Sequence, residues 1–302
     1  MDLNSYFAEL RREVAAALER LLPPADERPA RLHAAMRYSL LAGGKRLRPV
    51  LCLASAEAVG GERGAALLPA VALECLHTYT LIHDDLPAMD DDDLRRGQPT
   101  CHKQFDEATA ILAGDALLTL AFELLARFGE SQTARQASPS TGTVAAQLAQ
   151  ELAVAAGSRG VVGGQAEDLA AEGREPDAAL LEYIHSHKTG ALIRAACRMG
   201  ALAGGANAAQ LAALTAYAEK IGLAFQIADD VLNVTSTPEQ LGKATGSDAA
   251  RKKMTYVALF GLEVARAQAQ ALAAGAVAAL APLGAHAAPL AALAEFTVQR
   301  KS

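Results

Sequence analysis

Helical spacing of apolar residues runs along almost the whole 302-residue chain and constrains the fold more than any other feature. In the first segment, apolar side chains recur every three or four residues, at Leu3, Phe7, Leu10, Val14 and Leu18. That spacing is typical of an amphipathic helix, whereas the two-residue alternation of strands never persists. With 51% hydrophobic residues, the chain can bury a large core. We therefore predict an all-α protein, a single helical bundle that forms one domain over residues 1–302.

Glycine, proline and polar segments mark where the helices end. Residues 131–142, which are rich in Ser, Thr and Gln, are predicted to form a surface loop, and residues 235–252 a second one. The remaining periodic segments predict helices at 32–40, 49–59, 67–86, 107–128, 143–156, 160–171, 177–203 and 206–234, with two more after residue 252.

Composition argues against several classes of protein. The net charge of -6 disfavours nucleic-acid binding through a basic face. The four cysteines form no CxxC pair, as expected of reduced thiols in a cytoplasmic protein. The N-terminal segment lacks the apolar stretch of a signal peptide, and no apolar run reaches the roughly 18 residues needed to cross a bilayer. We therefore expect no nucleic-acid partner and no membrane insertion.

Two acidic motifs interrupt this apolar background, and the first follows the predicted helix 67–86. Asp84, Asp85 and four more aspartates at 90–93 lie within ten residues. Such crowding of like charges destabilises a fold unless cations neutralise it. Mg²⁺ takes oxygen ligands, typically one or two carboxylates together with phosphate. The cluster is therefore either a solvated acidic loop or a Mg²⁺–diphosphate site, and the motif alone leaves both open.

The second motif is an Asp229-Asp230 pair inside an apolar helix. Gln226, Asp229, Asp230 and Asn233 are three or four residues apart, so they share one helix face. The alternative is an aspartate pair on the solvated side of the helix, but the apolar neighbours leave little such surface. Buried carboxylates are unfavourable unless they are paired or metal-bound. Two such pairs favour several Mg²⁺ ions around one polyphosphate.

Basic residues cluster beside glycines. Gly43-Gly44 precedes Lys45, Arg46 and Arg48, and Arg95-Arg96 directly follows the first acidic block. Arginine forks match phosphate oxygens, and glycines let backbone N–H groups approach an anion. Any single one of these cations is more simply a surface charge. Together they favour a second polyphosphate that is held directly by the protein.

These motifs resemble those of the trans-prenyl diphosphate synthases over nearly the whole chain, and most closely those of the bacterial farnesyl diphosphate synthases. Residues 84–90 with 94–100 are similar to the family's first aspartate-rich motif, residues 226–233 to its second, and residues 43–49 to its isopentenyl diphosphate site. The resemblance implies an isoprenoid-synthase-like helical bundle around a central apolar cavity, and a homodimer. It implies a prenyltransferase that makes (2E,6E)-farnesyl diphosphate from isopentenyl diphosphate and an allylic diphosphate.

The resemblance also implies a role for each matching residue. Mg²⁺, three ions per site with Mn²⁺ as a substitute, would be held by Asp84, Asp85, Asp90, Asp229 and Asp230. These ions, with Arg95, Lys188 and Lys243, would hold the allylic diphosphate, and Thr189 and Gln226 would stabilise the allylic cation. Isopentenyl diphosphate would be held by Gly44, Lys45, Arg48, His77 and Arg96, with Lys253 as a further substrate-binding residue. Asn233 is a departure, because the family usually has Asp there.

Product length is the finer question. Tyr79 lies five residues before Asp84, roughly 7.5 Å along the helix axis, where an aromatic ring can act as a floor for the growing chain. The neighbouring Thr80 is too small to block the growing chain nearer to Asp84. Alternatively, Tyr79 only packs against a neighbouring helix. In related short-chain synthases this pattern implies the farnesyl product, with geranyl and geranylgeranyl diphosphate as alternatives.

Two other functions compete with this interpretation. A terpene cyclase shares the first acidic motif, but it has no need of a second diphosphate site such as Lys45 and Arg48 suggest. A non-catalytic partner subunit of another synthase is favoured by Asn233 and opposed by the intact first motif.

Overall fold

A computed structural model of the protein describes residues 2–135, 140–175, 177–235 and 254–299. Most of these residues are helical, as predicted. The described chain falls into two compact units: unit 1 is Met1–Leu53 with Arg63–Ala149, and unit 2 is Ala54–Glu62 with Gln150–Ser302. The single domain over residues 1–302 stays a prediction.

The elements of unit 1 begin with three helices, of which the third continues into unit 2. They are α1 (Leu3–Leu21), α2 (Ala30–Leu41), α3 (Leu47–Ala58), a 3₁₀ turn (Arg63–Ala66), α4 (Leu67–Asp84), strands β1 (Leu94–Arg95) and β2 (Gln98–Pro99), α5 (Cys101–Gln104) and α6 (Glu107–Arg135). Helix α4 packs against α1, α2 and α6 and buries Val71, Leu73 and Leu76 among others. Each such side chain stabilises the fold by about 1.5–3 kcal/mol on burial. This packing fixes the end of α4, where the first acidic motif begins.

Unit 2 receives the end of α7 (Ser140–Ala156) and is built around a long helix, α11. Its other elements are α8 (Val161–Ala171), α9 (Ala178–Ile184), a π-helix (His185–Gly190), α10 (Ala191–Ala203), α11 (Ala208–Thr235), α12 (Tyr256–Phe260), α13 (Leu262–Ala279), a 3₁₀ segment (Ala281–Ala287) and α14 (Ala288–Gln299). Helix α11 packs against α10, α13, α14 and the π-helix. Gly222 permits the last contact, because a Cβ there would lie 3.1 Å from the Gly190 Cα. The second acidic motif therefore lies on the best-packed helix of this unit.

The structure corrects three predicted elements. Residues 94–99 form a short hairpin that the missing strand periodicity did not predict. The loop predicted over 131–142 is wrong at both ends, because α6 continues to Arg135 and α7 begins at Ser140; Ala, Gln and Arg in that segment are good helix formers. The predicted helix 177–203 is interrupted by the π-helix, a form that is frequent at functional sites.

The prediction that no apolar run could cross a membrane is also corrected. By length and composition alone, Arg63–Asp84 and Glu107–Gly129 are long and apolar enough. In Arg63–Asp84, 67% of the apolar 18-residue stretch is buried inside the protein, compared with 44% in Glu107–Gly129. Core packing therefore accounts for much of the composition of the first. The second leaves Ile111 and Leu112 on α6 44% and 56% exposed.

Candidate active site

The first acidic motif begins where α4 ends. Asp84 is the last residue of α4, and Asp85 caps it. The C-terminal end of a helix carries partial negative charge, so carboxylates there are unfavourable without a nearby cation. The chain then turns back, and the Asp90 N–H donates to the Asp84 carbonyl oxygen at 2.8 Å. This turn brings Asp90 next to Asp84, and both are half-buried.

Asp85 has different surroundings from Asp84. Its side chain is only 4% exposed, and Arg95 binds it with a fork. The Arg95 Nε lies 2.8 Å from each carboxylate oxygen, and its Nη2 adds a third contact. Burial raises the pKa of Asp85 above its ordinary value, and the Arg95 guanidinium opposes that rise. Asp85 is therefore already neutralised by a cation of the protein.

The hairpin after the acidic block positions Arg96. Its turn residues Arg96 and Gly97 have φ of 54° and 76°, as in the tight turns that join two antiparallel strands. The Arg96 Nη1 donates to the Gly43 carbonyl oxygen. A Cβ on Gly44 would lie 2.5 Å from the Arg96 guanidinium carbon, so only glycine fits there. The predicted anion-binding glycines and Arg96 are thus neighbours.

The three cations after these glycines do not share one role. Arg46 points into the core, where it is 7% exposed, pairs with Glu74 at 2.5 Å and donates to the Leu40 carbonyl oxygen at 2.6 Å. Its inclusion with Lys45 and Arg48 as an anion-binding cation is therefore wrong. Lys45 is exposed and Arg48 half-buried, as ligand-binding cations can be.

His77 lies beside this basic cluster. Its Nε2 is 3.1 Å from the Arg48 Nη1. Burial, and then the charge of Arg48, lower the pKa of His77 well below its ordinary value. A neutral ring accepts the Arg48 N–H at Nε2 and carries its own proton on Nδ1. His77 therefore orients Arg48 without adding charge.

A small cleft of about 30 Å³ in unit 1 is bordered by some of these groups. Asp85, Arg95 and Arg96 form its polar side. Its apolar lining includes Leu81, Ile82 and Cys101. Tyr38 also lines the cleft and donates a 2.8 Å hydrogen bond to the Pro99 carbonyl oxygen of the hairpin. Polar and apolar side chains therefore meet at one cleft of unit 1.

Tyr79 and Thr80, the two residues predicted to set product length, lie near the end of α4. The Tyr79 ring meets the His83 ring edge to face, with centroids 5.1 Å apart. His83 is in turn held against α6, 3.0 Å from the Ile111 carbonyl oxygen and beside Gly114. Thr80 is buried and donates to the His77 carbonyl oxygen of its own helix at 2.8 Å. Tyr79 does pack against neighbouring side chains, and its role as a floor stays a prediction.

Lys188, Thr189 and Gln226 are placed by the π-helix and α11 of unit 2. The Lys188 Nζ lies 2.6 Å from an Asp168 carboxylate oxygen on α8. The Thr189 hydroxyl donates to the Gln226 Oε1 at 3.0 Å. The structure thus joins two of the residues that the resemblance assigns to the allylic cation.

The aspartates of the second motif also differ from each other. Asp229 and Asn233 are half-buried, whereas Asp230 is buried. The Asp230 Oδ2 accepts the Tyr256 N–H at 2.7 Å, and His185 lies 3.7 Å from the same oxygen. Burial lowers the pKa of His185 to about 4, so this ring is neutral near pH 7.

Carboxylate oxygens are the donors that Mg²⁺ prefers, and both motifs supply them. In the described part of the chain, no three Asp, Glu, His or Cys side chains converge closely enough to hold a metal ion. Mg²⁺ typically uses one or two carboxylates and completes its shell with water and substrate phosphate. Asp84 with Asp90, and Asp229 by itself, therefore fit Mg²⁺ that arrives with a diphosphate.

Lys243 and Lys253, which were predicted to bind substrate, lie outside the described residues. The remaining predicted positions fall into two groups. Those of unit 1 lie at the end of α4, on the hairpin and after Gly44; those of unit 2 lie on the π-helix and α11.

Comparison with known proteins decides the family. The family model described as "Polyprenyl synthetase" matches residues 29–278. The chain belongs to the polyprenyl synthetase family. Farnesyl diphosphate synthase of Escherichia coli (strain K12) is 46% identical over 304 residues, which cover 99% of each chain. Geranylgeranyl pyrophosphate synthase 11 of Arabidopsis thaliana is 45% identical over 307 residues, which cover 99% of this chain and 82% of the plant protein.

A solved structure gives the same answer for the fold. The crystal structure of an FPP/GFPP synthase from Zymomonas mobilis matches with a TM-score of 0.84 at 42% identity, over 98% of this chain and 99% of that one. Membership in the polyprenyl synthetase family confirms the resemblance drawn from the motifs. The structural match confirms the all-α fold.

Sequence reasoning missed several residues that hold the polyprenyl synthetase motifs in place. Glu74 pairs with Arg46, Asp168 with Lys188, and Tyr256 binds Asp230 through its backbone. A lone carboxylate in the apolar run 73–76 was the available signal for Glu74, whereas Asp168 directly follows Glu167 and offered no such signal. A backbone donor such as that of Tyr256 leaves no trace in the sequence.

Proposed function

We propose that the protein is a prenyltransferase that joins isopentenyl diphosphate to dimethylallyl or geranyl diphosphate, forms farnesyl diphosphate and releases diphosphate. The match to the farnesyl diphosphate synthase of E. coli over 99% of both chains carries this proposal. The Asp84–Asp90 turn, the Arg95-Arg96 hairpin and the Thr189–Gln226 pair support it, because each offers chemistry that the reaction requires.

The reaction begins with cleavage of the bond between the allylic carbon and the diphosphate oxygen. Negative charge grows on the leaving group, and fixed cations that meet it stabilise the transition state. Arg95, Lys188 and Lys243 are proposed to supply part of that positive charge. Asp84, Asp90 and Asp229 are proposed to hold Mg²⁺, and bound Mg²⁺ would neutralise further charge on the diphosphate. Asp85 and Asp230 as additional ligands stay a prediction.

The allylic cation that remains needs neighbouring oxygen dipoles and no water. Thr189 and Gln226 offer a hydroxyl and an amide oxygen 3.0 Å apart. The isopentenyl double bond attacks the cation, and the proton lost from the isopentenyl unit passes to the released diphosphate. Apolar helix walls keep water from capturing the cation first. No nucleophile from the protein is needed in this sequence of steps.

Isopentenyl diphosphate is proposed to bind the basic cluster of unit 1. Lys45, Arg48 and Arg96 supply cations, Gly44 lets the backbone approach, and His77 orients Arg48. Arginine forks suit the diphosphate oxygens, which explains two arginines in this set. Lys253 is proposed as a further contact.

A cellular setting can also be proposed. All four cysteines are buried and none forms a disulfide bond, which fits a reducing compartment such as the cytoplasm. The exposed Ile111 and Leu112 on α6 offer apolar surface that a homodimer could cover. We propose a cytoplasmic homodimer that uses no nucleic acid and no membrane insertion.

Incubation of the purified protein with isopentenyl and dimethylallyl diphosphates, with and without Mg²⁺, tests the function. We expect Mg²⁺-dependent condensation and a fifteen-carbon product by chromatography. A twenty-carbon product would favour geranylgeranyl diphosphate synthase, the activity named for the Arabidopsis relative. Hydrocarbon release from farnesyl diphosphate alone would mark a cyclase, and no activity at all would mark a non-catalytic subunit.

Tyr79→Ala tests product length. If Tyr79 forms the floor of the apolar path, the variant makes longer products than the natural protein at a similar rate of isopentenyl incorporation. Tyr183→Ala, at a 39% exposed tyrosine of unit 2, is the matched control. An unchanged product profile in Tyr79→Ala contradicts the floor.

A further inference from the structure

The adjacent aspartates of the second motif cannot serve a ligand equally. Successive residues of an α-helix point about 100° apart. Asp229 is half-buried, whereas the Asp230 side chain is 5% exposed. One face of α11 is thus available for Asp229, and Asp230 is turned into the protein.

Three groups of unit 2 surround the Asp230 carboxylate. The Tyr256 N–H donates to Oδ2 at 2.7 Å, and the His185 Nε2 lies 3.7 Å from that oxygen. The Gln226 Nε2 lies 3.4 Å from Oδ1, at the long end of the hydrogen-bond range. Tyr256 is the first residue of α12, so its N–H has no partner within that helix. One carboxylate therefore ties α11 to the start of α12.

The contact with Gln226 also decides which way its amide points. An amide has an oxygen that accepts and a nitrogen that donates, whereas an ionised carboxylate only accepts. Asp230 therefore selects Nε2 on its own side, and Oε1 points away from it. There Oε1 accepts the Thr189 hydroxyl at 3.0 Å. A reversed amide would place its oxygen against the carboxylate, which is repulsive, whereas the Thr189 hydroxyl could turn and accept from the amide nitrogen. The Asp230 carboxylate is therefore the group that fixes the amide orientation.

We infer that Asp230 is a positioning residue rather than a metal ligand. It orients the Gln226 amide toward Thr189 and anchors the first residue of α12. The role in catalysis rests on the proposed function, because Thr189 and Gln226 matter through the allylic cation. The anchoring of α12 is independent of it. Of the two adjacent aspartates, Asp229 is then the one that binds Mg²⁺.

Asp230→Asn and Asp229→Asn distinguish the two roles. In Asp230→Asn the side chain can donate as well as accept, so it no longer selects one amide orientation. We expect kcat to fall about 10- to 100-fold, because cation-stabilising dipoles act only when aligned. The KM values and the Mg²⁺ concentration for half-maximal rate should stay within about twofold. Asp229→Asn should instead raise that Mg²⁺ concentration at least about tenfold.

Amide hydrogen exchange of the segment 254–260 gives a readout that needs neither metal nor substrate. Asp230→Ala should speed exchange at Tyr256 at least about tenfold, because the carboxylate that accepts its N–H is lost. Asp229→Asn should leave it unchanged. Thr255→Ala is the matched control: it removes the 3.2 Å cap bond to the Ala258 N–H and leaves Gln226 untouched, so kcat should not change.

Two results overturn the inference, each sufficient by itself. One is a raised Mg²⁺ requirement in Asp230→Asn that equals that of Asp229→Asn. The other is wild-type exchange at Tyr256 in Asp230→Ala. Failure of the proposed function would appear differently, as an inactive natural protein, and the exchange at Tyr256 would then decide the inference alone.

Discussion

The two aspartate pairs have the same internal pattern but different means of holding it. In each, the first residue is half-buried and the second is buried. The buried carboxylate of unit 1, Asp85, is bound by the guanidinium of Arg95. That of unit 2, Asp230, accepts from a backbone N–H and lies beside a neutral imidazole and an amide. Among the described residues, the group that binds the buried carboxylate is a cation in the first region, whereas the groups next to it in the second are neutral dipoles.

Within each pair, the half-buried aspartate and the buried one should have different roles. Successive side chains diverge on a helix, so a pair can present one carboxylate outward while the other serves the fold. Asp84 and Asp229 are the outward members. Their removal should affect ligand binding and rate, whereas removal of Asp85 or Asp230 should also affect local structure.

The largest effect should come from Asp84→Asn, an outward member. Loss of a carboxylate that holds Mg²⁺ should lower kcat about 10³-fold, equivalent to about 4 kcal/mol of transition-state stabilisation. Initial rates of isopentenyl incorporation measure it. Asp93→Asn, an exposed aspartate of the same block paired with Lys103, is the control and should stay near wild type. Equal losses in both variants would show that the block acts only through its total charge.

A smaller effect, on stability, should distinguish the buried members. Asp85→Ala leaves the partly exposed Arg95 without its carboxylate, and we expect a loss of about 2–3 kcal/mol in the free energy of unfolding. Asp230→Ala removes hydrogen bonds between neutral donors and a carboxylate, and we expect the free energy of unfolding to fall by about 1–2 kcal/mol. Urea unfolding measures both. Arg95→Ala added to Asp85→Ala should recover part of the loss, and full additivity would argue against the pair.

His77, which lies beside the cations of unit 1, should make the stability of the protein depend on pH. Burial and Arg48 lower the pKa of His77 in the folded protein below the ordinary 6.5. As the pH falls below 6.5, the unfolded chain binds a proton that folded His77 does not, so stability falls. His77→Gln should reduce that slope by at most about 1.4 kcal/mol per pH unit. Urea unfolding at several pH values tests this. His286→Gln, at an exposed position, should keep the wild-type slope; the same slope in His77→Gln would contradict the neutral ring.

The smallest effect should come from Asn233→Asp, which adds a third carboxylate to the second motif. Asn233 is half-buried and carries no charge, so the outward Asp229 is expected to suffice. We expect a modest change in the Mg²⁺ concentration for half-maximal rate. Activity that appears only in Asn233→Asp would show that the natural second motif is impaired.

Much of this arrangement could be predicted from the sequence, for particular physical reasons. Apolar spacing places α2, α4, α8 and α11 nearly at their observed bounds, because one buried stripe repeats every three or four residues. Asp84, Asp229 and Arg96 are predicted as site residues because charges in apolar or glycine-rich surroundings need a partner, and their roles stay predictions. The hairpin at 94–99 was not predicted because two-residue strands show no periodicity. The π-helix was not predicted because its sequence is typical of an ordinary helix.

The different roles of neighbouring residues within each motif could not be predicted from the sequence. Arg46 is close to Arg48 in the sequence, and Asp85 is next to Asp84, but residues so close in sequence face different surroundings in the structure. Arg46 pairs with Glu74, 28 residues away, and Asp230 with the backbone of Tyr256, 26 residues away. Contacts over such distances depend on packing of whole helices, which local patterns do not determine.

The central claim is that Asp84 and Asp229, the half-buried members of the two acidic motifs, are each needed for Mg²⁺-dependent binding of an allylic diphosphate. Calorimetric binding of an unreactive allylic diphosphate analogue tests it most directly, with wild type, Asp84→Asn and Asp229→Asn in the presence and absence of Mg²⁺. We expect Mg²⁺-dependent binding to wild type and an affinity at least about tenfold weaker in each variant. Wild-type affinity in either variant would contradict the claim.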